Sequence, residues 1–187
     1  MTIYHFIASS REIPTGVYGH KAQIVPISHI SDIKIRGIKP PKKTKTNKYR
    51  NDTNINEHYM VVYETDEDYQ GISISELDGY KGYDEIRNQF SNPYVYHLGC
   101  SDHRKCYREL FKYIDENLLD GESVELYTCL AGDELRDKIV SLTIVVNLKT
   151  KHFQNDIGNF KLNEKRLFDE LSERFSFRER QYVLVTK

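Results

Sequence analysis

One segment, Tyr94 to Leu130, constrains the fold more than any other. Tyr94–Gly99 is rich in aromatic and aliphatic side chains and reads as a short strand. Beyond it Cys106, Tyr107, Leu110, Phe111, Ile114 and Leu118 recur at helical spacing and form one apolar stripe. Ser101 or Asp102 is placed to cap that helix, and Asp120-Gly121 stops it. Val124–Leu130 then reads as a second strand. A helix with so broad an apolar stripe must lie on a sheet. The simplest arrangement is a βαβ unit over 94–130 with its two strands parallel and adjacent.

The remaining segments add strands around this unit. Ile3, Tyr4, Phe6 and Ile7 predict a buried first strand, followed by a loop carrying Pro14, Gly16 and Gly19. Asp32 to Gly37 alternates as a short strand, whereas Pro26 interrupts the run before it. Tyr59–Glu64 and Tyr69–Glu76 predict an antiparallel hairpin turning at "TDED". Residues 84–90 fit two helical turns ended by Ser91-Asn92-Pro93. Ile139–Leu148 is the most apolar strand candidate. Asn163 caps a last helix that turns Leu167, Phe168, Leu171 and Phe175 inward, and "QYVLVT" closes the chain as a strand. The expected fold is therefore α+β (mixed α/β). It has a single mixed sheet of about six to seven strands with two main helices packed on it. The chain, 1–187, reads as a single globular domain.

Composition narrows the class of function. The apolar share is 39% and the charged share 29%, with fourteen Tyr, eight Phe and no Trp, which supports a globular chain with an aromatic-rich core. A formal net charge of -1 provides no global field for nucleic acid or an anionic membrane. No run is long and apolar enough to span a bilayer, and the N-terminal stretch lacks the basic start of a signal peptide. Three cysteines, an odd number in a chain that needs no cross-links, are expected to be reduced thiols in a cytoplasmic protein. The Lys-, Asn-, Ile- and Tyr-rich usage suits an AT-rich bacterial or phage genome.

Within "YHLGCSDHRKC", His97, Cys100, His103 and Cys106 fall at intervals of three. Four ligands around one metal ion require more than spacing. On an extended strand His97 and Cys100 stand about 10 Å apart. In a continuous helix His97 lies about 13 Å along the axis from Cys106. Only His103 and Cys106 are helical neighbours, so no metal is assigned. Cys100 has a different interest. It precedes a helix N-terminus, where free amide N–H groups and the helix dipole favour a thiolate. No positioned base or Cys-x5-Arg phosphate loop accompanies it, and no catalytic residue or cofactor is assigned. "ETDEDYQG" lacks the glycine and glutamate of a calcium hand, and "GYKGYDEIRNQF" lacks the Lys-Ser or Lys-Thr of a phosphate loop.

If the two strands of the βαβ unit are neighbours, both end on one edge of the sheet, where crevices open. The expected ligand site is Gly99, Cys100, Ser101 and Asp102 at one strand end with Cys129 at the other. Cys129 alternates with Glu125 and Tyr127, on a face expected to be partly open. The functional expectation is a cytosolic binding or interaction domain that engages a small anionic ligand or a protein partner. Two alternatives accompany it. One is a cysteine-dependent enzyme using Cys100. The other is phosphate or nucleic-acid contact through an exposed basic loop at 39–57, whose cations are Lys42, Lys43, Lys45, Lys48 and Arg50.

Overall fold

The computed structural model describes residues 2–26, 59–77 and 83–187. The expected strand at 32–37 and the basic cluster Lys42, Lys43, Lys45, Lys48 and Arg50 lie outside the described residues. In chain order the strands are β1 (Ile3–Ser9), β2 (Gly16–Tyr18), β3 (Gln23–Pro26), β4 (Tyr59–Val62), β5 (Ile72–Glu76), β6 (Tyr94–Cys100), β7 (Ser123–Leu130), β8 (Ile144–Asn147), β9 (His152–Gln154), β10 (Asn159–Lys161) and β11 (Tyr182–Thr186). The helices are α1 (Asp66–Tyr69), α2 (Tyr83–Arg87), α3 (Arg104–Asn117) and α4 (Leu167–Arg174). Contacts divide the chain into two units, residues 21–69 and the remainder.

The smaller unit holds β3 and β4, paired antiparallel with Gln23 opposite Val62. Thr65 and Asp68 cap α1 reciprocally. The Asp68 amide donates to Thr65 Oγ1 at 3.1 Å, and Thr65 Oγ1 donates to Asp68 Oδ2 at 2.7 Å. The acidic run therefore builds the first turn of a short helix, where its charge complements the helix dipole, rather than a hairpin turn.

The larger unit is built on one mixed nine-stranded sheet in the order β10-β9-β8-β11-β7-β1-β6-β5-β2. All pairs are antiparallel except β8 with β11. The mixed α+β class is as expected, with more strands than the pattern showed. The βαβ expectation needs one correction. β6 and β7 do run the same way and are joined by α3, but they are not neighbours. β1 lies between them, antiparallel to both. The expected hairpin of β4 with β5 is also replaced: β5 pairs with β6 and β2. Of the Ile139–Leu148 run only Ile144–Asn147 is a strand. Val140–Leu142 forms a 3-10 turn and Val140 is 84% exposed.

Register assigns each side chain to a face. His5 stands opposite Leu98 on one side and Thr128 on the other, and Ile7 opposite Tyr96 and Leu126. These residues share the helix-covered face. There Ile7, Tyr96, Leu98, Cys100 and Leu126 pack against Cys106, Leu110, Phe111 and Ile114 of α3 and Leu167 and Leu171 of α4. Each fully buried large side chain, such as Phe111, contributes about 1.5–3 kcal/mol. The other face carries Phe6, Ala8, Val95, Tyr127 and Cys129, covered by Leu77, Ile86 and Phe90.

The start of α3 differs from the capping expected of Ser101 or Asp102. His103 is the N-cap, and its Nδ1 accepts from the Lys105 amide at 3.2 Å. Asn163 does not cap α4 itself: it accepts from the Lys165 amide at 2.9 Å and caps the 3-10 turn Glu164–Arg166, and α4 starts after Arg166 with no side-chain cap.

Candidate functional site

A cavity of about 340 Å³ opens at the end of the three central strands, on the helix-covered face. Ile3 and His5 of β1 form its floor with Thr128 of β7 and Cys100 of β6. Asp102, just before α3, and Phe177, Arg178 and Glu179, in the segment between α4 and β11, complete the wall.

The floor is polar because two core-facing positions carry hydrogen-bonding groups. His5 occupies the same alternation as Ile3 and Ile7, and Thr128 the same as Val124 and Leu126. The His5 imidazole Nδ1 lies 3.0 Å from Thr128 Oγ1. Its ring stacks on Phe177 with centroids 4.0 Å apart. Burial drives the His5 pKa down to about 4, helped by His97 and opposed by Asp102, so the ring is neutral at pH 7. A neutral imidazole presents one donor and one acceptor nitrogen.

The wall is tied together by one phenol. Tyr107 O–H donates to Asp102 Oδ1 at 2.5 Å and accepts from the Phe177 amide at 3.4 Å. Burial raises the Tyr107 pKa, and the bond to Asp102 raises it further, so the phenol remains a donor. Arg178 Nη1 pairs with Asp156 Oδ2 at 2.8 Å.

Of the five residues expected to form the ligand site, the structure brings Cys100 and Asp102 to this cavity. Gly99 points to the opposite face, tight against β5, and a Cβ there would collide with Ser73 Oγ. Ser101 Oγ donates to Gln70 Oε1 at 2.5 Å and stands 2.9 Å from Cys106 Sγ. Cys129 is the clear correction. It pairs with Tyr4 and so faces away from Cys100. The face expected to be partly open is closed, with Glu125 3% exposed and Tyr127 and Cys129 fully buried. Burial raises the Cys129 pKa to about 12, with Glu134, Asp133 and Glu179 adding to it.

Cys100 is not in the state that a helix-terminus thiolate would require. Its hydrogen bond with Cys106 and its burial hold the thiol pKa far above the usual range. Cys106, in the first turn of α3, is held below that range by bonds from Cys100 and Ser101, although burial opposes the shift. Among the described residues no three His, Cys, Asp or Glu side chains are gathered closely enough to hold a metal ion. No described helix is long and apolar enough to cross a membrane.

His5, Thr128 and Phe177 were not singled out in the sequence. A signal existed for His5, because a histidine between Ile3 and Ile7 in a buried strand breaks the apolar alternation. Nothing local marks Phe177. Comparisons with known protein families, curated proteins and solved structures find no match to this chain.

Proposed function

We propose that the protein is a binding module whose strand-end cavity takes a small polar molecule, and that this ligand is neutral or cationic. The observation that supports the reading is the cavity itself, with His5, Thr128 and Asp102 presenting hydrogen-bonding groups against the apolar surfaces of Ile3 and Phe177. A concave, partly apolar site with a few convergent polar groups is the usual form of a small-molecule site. Its charge argues against the anion expected of a strand-end crevice. Asp102 and Glu179 supply two carboxylates, whereas Arg178, the one cation among the described residues that line it, is already engaged by Asp156. An anion entering there would meet net repulsion.

A cysteine enzyme built on Cys100 fits less well. The raised thiol pKa disfavours the nucleophilic form, and the neighbouring His5 bonds to Thr128 rather than to sulfur.

The reading is tested by differential scanning fluorimetry against a panel of polyols, primary amines, amino acids and organic acids. The expected result is a rise in Tm with a polyol or amine that is lost in a variant carrying Asp102→Asn and Glu179→Gln. Stabilisation by organic acids alone, or stabilisation that survives the double substitution, contradicts it.

A further inference from the structure

The side chains lining the cavity fix which group a ligand atom meets. Thr128 is 1% exposed, and its hydroxyl has one hydrogen-bond partner among the described residues, His5 Nδ1 at 3.0 Å. A buried hydroxyl proton needs an acceptor, so Thr128 Oγ1 donates and His5 Nδ1 accepts. The imidazole is neutral at pH 7, and its single proton therefore sits on Nε2. Nε2 has no partner among the described residues and is not sealed into the core, so it offers an N–H to a molecule in the cavity. Phe177 holds the ring in place by stacking on it at 4.0 Å. The same Phe177 is joined through its amide to Tyr107, and Tyr107 to Asp102 Oδ1, so His5 and Asp102 belong to one connected wall. Asp102 Oδ2 and the Glu179 carboxylate have no hydrogen-bond partner among the described residues, while Asp156 meets the charge of Arg178 at 2.8 Å. The lining thus combines one fixed N–H donor with carboxylate oxygens that lack a counter-charge.

We infer that the ligand is a small amino alcohol, whose hydroxyl oxygen accepts from His5 Nε2–H and whose ammonium group is held by Asp102 and Glu179. The inference rests on the cavity reading above and names the class of molecule that the cavity takes. Each half of such a molecule answers a different part of the lining. A simple amine pairs with the carboxylates and leaves the His5 N–H without an acceptor. A polyol satisfies His5 and brings no charge to the carboxylates, so it forgoes the stronger, charge-assisted bonds. An amino acid adds a carboxylate that Asp102 and Glu179 repel. At about 340 Å³ the cavity is at the small end of ligand pockets, in keeping with a compact molecule. Thr128 is a positioning residue here. It acts through His5, by holding the imidazole in the tautomer that donates to the ligand.

The test uses the full chain and matched probes: the 1,2-, 1,3- and 1,4-aminocyclohexanols, with cyclohexylamine and cyclohexanol each lacking one of the two groups. Dissociation constants are read from NMR titrations at pH 7. At least one aminocyclohexanol should bind about tenfold more tightly than either single-group probe. In a variant carrying Asp102→Asn and Glu179→Gln that advantage over cyclohexanol should vanish, while cyclohexanol itself binds as before. A second measurement needs no ligand. Long-range nitrogen–proton spectra of the imidazole should show His5 protonated at Nε2 and unprotonated at Nδ1, and Thr128→Val should release that preference. Cyclohexylamine or cyclohexanol binding as tightly as every aminocyclohexanol overturns the inference and leaves the cavity reading standing. So does the absence of aminocyclohexanol binding where a polyol or a simple amine binds at the cavity. A proton on Nδ1 of His5, or an aminocyclohexanol advantage that survives loss of both carboxylates, overturns it equally. If no polyol, amine or amino alcohol shifts the cavity residues, both the inference and the reading beneath it fall.

Discussion

His5 Nδ1 and Thr128 Oγ1 face each other at 3.0 Å across adjacent strands, in the floor of the strand-end cavity. The contact holds a neutral imidazole in a place that penalises its charged form, which makes stability depend on pH. The folded pKa is lowered from 6.5 to about 4, so the unfolded chain takes up the proton first as pH falls. Stability is full above pH 6.5, declines towards about pH 4 and is level for this group below that. The full loss is of order 3 kcal/mol. His97, also lowered by burial, acts with the same sign. Urea midpoints across pH 7 to pH 4 should fall in the wild type and fall less steeply in His5→Asn. Equal slopes would show that His5 is not held neutral by the fold.

The closed face of the sheet depends on Glu125. One of its oxygens accepts from the Ser91 amide at 2.8 Å and the Asn92 amide at 3.3 Å, and its carboxylate also bonds Tyr182. Lys138 lies over the Tyr182 ring, 3.8 Å from its centroid. Glu125→Ala leaves two amides and a phenol without their acceptor in a half-buried place and should cost about 2 kcal/mol. Glu125→Gln retains one carbonyl acceptor and should cost about 1 kcal/mol. Chemical denaturation of the two variants checks the order. A loss below that of the glutamine variant in Glu125→Ala would contradict the assignment.

Helix α3 begins on an unusual cap. Histidine accepts through Nδ1 where serine or aspartate would ordinarily serve. His103→Ala should lose about 1 kcal/mol, and His103→Asp should recover it or better, because the carboxylate also meets the helix dipole. Equal stability of the alanine and aspartate variants would remove the capping role.

The three thiols should resist alkylation in the folded chain. Cys106 and Cys129 are fully buried and Cys100 is 9% exposed with a raised pKa. At pH 8 iodoacetamide should modify the native protein more slowly than free cysteine, and all three sites should react after unfolding. Rapid alkylation of Cys100 would revive the nucleophile reading.

Elements that carry their own pattern were legible from sequence. The stripe of Leu110, Phe111 and Ile114 places α3 on the sheet, and "QYVLVT" is β11. β2, β9 and β10 have three residues each, too few for alternation to show. Pairing was the less legible quantity. Alternation in Ile72–Glu76 tells which residues share a face but not which strand lies alongside, so the pattern fits a β4–β5 hairpin as well as the β5–β6 pair that forms. The same limit displaced Cys129 from the site. With β1 inserted between β6 and β7, the face of Cys129 follows from its pairing with Tyr4, which no local pattern in β7 encodes. Cys100 and Asp102 were within reach because they lie at a strand-to-helix junction, where crevices form.

Occupancy of the cavity is tested most directly by chemical-shift mapping. Uniformly 15N- and 13C-labelled protein is titrated with the polyols and primary amines that raise its Tm, with an organic acid as the comparison. The account predicts that the His5 imidazole and the Thr128, Asp102 and Phe177 amides shift together and saturate with the polyol or amine. Shifts confined to other surfaces, or a response at these residues to the organic acid alone, would contradict it.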